Sequence, residues 1–124
     1  MLECKATLRI KSDKLSLEEI CTVMGEPSKG FTKGQEFGKA KRSRPHTQWN
    51  LEIDLGNENM QDCLMKILEI YNASELGSIR SMCDVDVFCM LSSDNGQGSF
   101  ILDNRIYQKM NNAGLTVVFD FYSD

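Results

Sequence analysis

With 124 residues, a net charge of −4, 41% hydrophobic and 26% charged residues, the chain is sized for one domain whose core needs neither disulfide nor metal. No apolar run approaches the ~20 residues of a membrane helix, and the opening MLECKATLRIK lacks the charged-then-apolar order of a signal peptide. Five cysteines, odd in number and without C-x-x-C or zinc-ligand spacing, read as reduced core thiols of a cytoplasmic protein.

Residues 2–11 alternate, with Leu2, Cys4, Ala6, Leu8 and Ile10 on one face and Glu3, Lys5, Thr7, Arg9 and Lys11 on the other. That pattern predicts a strand with one wet face. After the turn at 11–14, Ser16 and Glu19 form a capping box, with Leu15 and Ile20 as its hydrophobic staple. Leu17, Ile20, Cys21 and Met24 supply a buried helical stripe that Gly25 and Pro27 end. Residues 28–45 read as a glycine-spaced loop, with a ragged strand near 36–43 or no strand at all. Alternation returns with Trp49, Leu51, Ile53 and Leu55 inward, and Gln48, Asn50, Glu52 and Asp54 outward.

Asn57 can cap a second helix, whose apolar stripe is Met60, Cys63, Leu64, Ile67, Leu68 and Tyr71. Cys83, Val85, Val87, Cys89 and Leu91 then alternate with Asp84, Asp86, Phe88 and Met90 as a further strand. A turn at 92–98 precedes a short expected strand at 100–102. Asp103 caps a third helix carrying Ile106, Tyr107, Met110 and Ala113, stopped at Gly114. Leu115, Val117, Phe119 and Phe121 form the inward side of the last strand, opposite Asp120 and Tyr122. The element order predicts an α+β fold: a ferredoxin-like split β-α-β core with an added helix–strand, helices on one face of a mainly antiparallel sheet.

Charge is unevenly placed. Lys29, Lys33, Lys39, Lys41, Arg42 and Arg44 face one acid, Glu36, across residues 29–44, a net +5 that leaves −9 for the rest. One reading makes Lys39, Lys41, Arg42, Arg44 and Trp49 a site for a ligand or single-stranded nucleic acid. The acidic far field of residues 46–124 argues against a polyanion. The same acids favour encounter with a basic protein, and Asp84, Asp86, Asp120, Glu52 and Asp54 are the expected partner-binding residues.

Chemistry has little to build on. His46 is the sole histidine and lies beside Pro45, without a local nucleophile motif. Asp84 and Asp86 sit on one face of a strand, ~7 Å apart, and could hold a hard cation. Paired surface carboxylates are more often merely solvated. The expectation is a non-enzymatic protein without cofactor or metal, monomeric or weakly dimeric.

Three stretches resemble a bacterial domain family of unknown function. They are the turn Met24-Gly25-Glu26-Pro27-Ser28, the step Lys33-Gly34-Gln35, and Trp49-Asn50-Leu51. The close from Gly114 to Tyr122 is similar as well. The chain departs from the family pattern with Met24 for Leu, Ser28 for Thr and Gln35 for Asp. Domains of this kind look like small immunity proteins of bacterial toxin systems. The resemblance therefore implies a cognate toxin as partner, plausibly a basic nuclease domain, and supplies no catalytic residues.

Overall fold

The structure, a computed structural model, describes residues 2–56 and 60–123. The strands are β1 (Leu2–Ser12), β2 (Lys29–Phe31), β3 (Glu36–Phe37), β4 (Arg42–Ser43), β5 (Thr47–Ile53), β6 (Asp84–Ser93) and β7 (Thr116–Ser123). The helices are α1 (Leu17–Met24), α2 (Met60–Ala73) and α3 (Asn104–Ala113). Five strands form one sheet in the order β2-β5-β1-β6-β7, and β3 and β4 form a separate two-stranded sheet. In a split β-α-β core the third strand pairs with the first, the second lies outside the third, and the fourth flanks the first. The run β2-β5-β1-β6 has that order, and β7 extends it through a parallel pairing with β6. The sheet is mainly antiparallel, with helices packed on it, and the α+β architecture is as the element order predicts.

Backbone packing resolves two compact units, and β1, β5 and β6 each contribute residues to both. The unit of residues 9–51 and 74–85 carries α1, β2 and the β3–β4 hairpin. Its core is Ile10, Leu15, Ile20, Trp49, Leu76, Cys83 and Val85. The α1 N-terminus closes as the sequence dictates: Ser16 Oγ accepts from Glu19 N, and Glu19 Oε1 accepts from Ser16 N. Trp49 is fully buried and its indole Nε1 donates to Gly25 O at 2.9 Å, so the strand tryptophan also fixes the end of α1. Buried Ser12 joins three segments of chain. Its Oγ donates to Met82 O at 2.8 Å and accepts from Lys14 N and Leu15 N. Gly30 of β2 lies close against α1: a Cβ there would stand 2.7 Å from Leu17 Cδ1.

The unit of residues 1–8, 52–73 and 86–124 carries α2, α3 and β7. Its core is drawn from Cys4, Leu8, Met60, Cys63, Leu64, Ile67, Val87, Cys89, Ile106 and Met110. Asp103 caps α3. Its Oδ1 accepts from Arg105 N and Ile106 N, while Oδ2 accepts from Arg105 Nη2 and Gln61 Nε2. The Arg105 and Gln61 hydrogen bonds hold the Asp103 carboxyl at about 2, below the ordinary 3.8. A depressed carboxyl adds stability that is complete above its unfolded pKa and is lost as pH falls through the folded value. We expect Asp103→Ala to lower the thermal midpoint at pH 7. That difference should shrink between about pH 4 and pH 2, measured by circular dichroism melts across that range.

Several expectations are corrected. β5 ends at Ile53, so Leu55 lies beyond the strand and is exposed. Residues 100–102 form no strand, and Tyr107 on α3 is exposed rather than buried. Phe119 and Phe121 share the face of the β6 core residues by register yet stay exposed, because β7 is the last strand of the sheet. The ragged segment at 36–43 resolves into the β3–β4 hairpin. The expected cap at Asn57 lies outside the described residues.

Candidate functional site

The acidic candidates do not gather at one point. Asp86 and Asp120 share the β6–β7 face turned away from the Val87–Cys89–Leu91 side, since register pairs Asp86 with Thr116 and Met90 with Asp120. Four steps of strand separate them, about 13 Å. Phe88, Met90, Val118 and Tyr122 occupy the same face, half-buried or exposed. Tyr122 Oη donates to Asp120 Oδ2 at 2.6 Å. That bond, with the charge behind it, raises the Tyr122 phenol above its ordinary 10. Glu52 on β5 and Asp54 beyond it are exposed, but β1 stands between β5 and β6 in the strand order, so they do not extend the Asp86–Asp120 face.

Asp84 precedes Asp86 by two residues on the same side of β6, at the start of the strand. With Lys11, Ser12, Asp13 and His46 it lines a polar cleft of about 120 Å³. This brings a serine, the lone histidine and two carboxylates to one place, which residue spacing gave no means of foreseeing. The serine is not a poised nucleophile. Its proton goes to Met82 O and its lone pairs receive two backbone N–H groups. His46 Nε2 is bonded to Gln48 Oε1 at 3.0 Å, and its ring lies 5.8 Å from that of Phe31. Among the described residues, no three His, Cys, Asp or Glu side chains are placed to hold a metal ion.

The basic candidates separate into two kinds. Lys39, Lys41 and Arg42 are exposed at the β3–β4 turn, where Gly38 and Lys41 take positive φ of 72° and 51°. Arg44 is committed instead. Its guanidinium carbon lies 4.1 Å from the Phe31 ring centre and 3.8 Å from that of Phe37, a double cation–π clamp. The hairpin base is also tied by Gly34 N to Arg44 O and by Arg44 N to Gln35 O. Two further bonds, Lys33 N to Thr47 Oγ1 and Leu17 N to Thr32 Oγ1, tie the segment to β5 and α1. Trp49, fully buried, has no face to offer a base.

Residues 2–124 match a family described as a domain of unknown function. The chain belongs to the DUF4279 family. It matches no curated protein and no solved structure. In this DUF4279 domain the five thiols are free. Burial pushes Cys89 up to about 12, and raises Cys63 and Cys83 as well. Such thiols are packing groups with little thiolate to offer at neutral pH. No described helix of this DUF4279 domain is long and apolar enough to cross a membrane.

Proposed function

We propose that this domain is a non-enzymatic, cytoplasmic binding protein whose acidic and aromatic β6–β7 face captures a basic protein partner, as an immunity protein blocks its cognate toxin. The observation that carries this reading is the make-up of that face: Asp86 and Asp120 share it with Phe88, Met90, Val118 and Tyr122, and Phe88 and Val118 lie between the two acids. Protein interfaces enrich aromatic residues and methionine at the centre and keep charge toward the rim. A nuclease toxin is basic because its substrate is anionic, so an acidic inhibitor gains in encounter rate and selectivity. Free, largely buried thiols suit a reducing compartment.

Co-expression with any toxin domains found encoded beside the gene tests the proposal. One of them, a nuclease by preference, should co-purify with the domain and lose its toxicity. Failure to bind or neutralise any of them overturns it.

A second reading rests on the hairpin, where the Arg44 clamp stiffens a turn bearing exposed Lys39, Lys41 and Arg42. It supports a polyanion site formed without Trp49. If that site operates, replacing the three residues by alanine weakens a salt-dependent oligonucleotide shift and flattens its salt slope by about three phosphate contacts. On the toxin-binding reading the wild-type protein shows no such shift even at low ionic strength.

A further inference from the structure

β7 closes one side of the five-stranded sheet, so among the described residues no strand lies beside its outer row of backbone N–H and C=O groups. Natural edge strands are guarded by lysine, proline, bulges or shortness. This one has none of these. It runs eight residues as TVVFDFYS, carries one charge, and keeps unbroken register with β6 from Asp86–Thr116 to Ser93–Ser123. Large side chains are open on both of its faces: Phe119 and Phe121 are 45% and 50% exposed on one, and Val118 and Tyr122 are 36% and 47% exposed beside Asp120 on the other. Tyr107 on α3 is 61% exposed. At roughly 200 Å² per ring these four aromatics leave on the order of 400 Å² open. A stable interface needs about 800 Å² per partner, so the rings alone meet half of it. Beside the strand lies an apolar groove of about 320 Å³ whose walls include Leu64, Leu102, Ile106, Met110, Val117 and Phe119.

We propose that β7 is the seam of a symmetric dimer, in which a second copy of this chain pairs its β7 antiparallel about Phe119 and lays its Phe121 against the groove. The register follows from the sequence. A two-fold axis that joins the sheets with like faces together must pass through a residue position, because neighbours across the seam share a face. Only centres at Phe119 and Asp120 keep seven cross-strand pairs in an eight-residue strand. The Asp120 centre sets two carboxylates directly opposite, which is destabilising. The Phe119 centre pairs Phe119 with its twin, Val117 with Phe121 and Val118 with Asp120, separating the charges. Val117 lines the groove, so Phe121 of the second copy stands at its mouth. The pairing leaves Asp86 and Asp120 on the other face, where two acidic surfaces lie side by side. The dimer thus goes beyond the proposed function and does not depend on it.

Sedimentation velocity of the full chain tests the seam. The wild type should be dimeric at high micromolar concentration and dissociate on dilution. Phe121→Glu and Val118→Glu, the latter set opposite Asp120 of the second copy, should each weaken dimerisation at least tenfold while the far-ultraviolet spectrum is retained. For register, Phe119→Cys and Asp120→Cys are compared in a Cys21→Ser background under mild oxidation. The Phe119→Cys chain should form a covalent dimer much faster. A wild type that remains monomeric at several hundred micromolar overturns the proposal. So does a dimer indifferent to both surface substitutions, or faster cross-linking through Asp120→Cys.

Discussion

Replacing Trp49 by alanine is expected to cost about 3–5 kcal/mol of folding stability, the range for deleting a buried aromatic from a packed core. Against a total of about 5–15 kcal/mol for a domain, that is enough to leave much of the protein unfolded near physiological temperature. Two terms add. The fully buried ring leaves a cavity in the core, and Gly25 O loses the indole donor that meets it at 2.9 Å. Trp49→Phe separates them, since it keeps most of the ring but removes the donor. It should cost about 0.5–1.5 kcal/mol, the net worth of an ordinary hydrogen bond, plus a packing loss, since Gly25 is exposed and water can meet its carbonyl. Because Trp49 is the only tryptophan, its removal also removes the fluorescence signal, so urea unfolding is followed by circular dichroism. A Trp49→Ala chain within 1 kcal/mol of wild type would contradict its placement in the core.

That residue also shows why some of this fold was legible in the sequence. Trp49 alternates in phase with Thr47 and Leu51, and the Ser16–Glu19 box closes α1 within four residues. Both signals are local, and the structure follows them. The split-core order followed from element order, because a helix between strands leaves few ways to close a sheet, but its second strand is Lys29–Phe31, read as loop, and not the segment near 36–43. Alternation reports which residues share a face, not whether anything covers it. Phe119, Phe121 and Tyr107 therefore read as core yet lie exposed at the sheet's edge. The hairpin hid for another reason. Its strands are two residues each, too short for periodicity, and what holds it includes Arg44 set between Phe31 and Phe37, a contact that no sequence period marks. The cleft of Ser12, His46 and Asp84 was equally invisible, since its residues meet only through the sheet's strand order.

If the β6–β7 face receives a basic toxin, Asp86→Asn with Asp120→Asn should slow association by about tenfold at low ionic strength, within the range that electrostatic steering spans. The dissociation rate should change far less, because steering charges act on encounter whereas packed contacts govern release. Asparagine keeps the shape and, at 120, an oxygen that can still accept from Tyr122 Oη, so the β6–β7 ladder and the thermal midpoint should hold. The tyrosine itself reports whether the change is local. With the carboxylate gone, the phenol now held above 10 by Asp120 should return toward its ordinary value, visible in an ultraviolet titration. The sign carries a stability consequence. A raised tyrosine pKa contributes stability fully present below the unfolded value and lost as pH climbs through the folded one. The wild type should thus lose a small margin above pH 10 that the Asp120→Asn chain lacks. The hairpin supplies the contrast. Lys39, Lys41 and Arg42 changed to alanine should leave association with a basic toxin unchanged or slightly faster, since they repel it. An association rate that ignores the two asparagines but falls with the three alanines would move the partner surface to the hairpin and end the case for the acidic face.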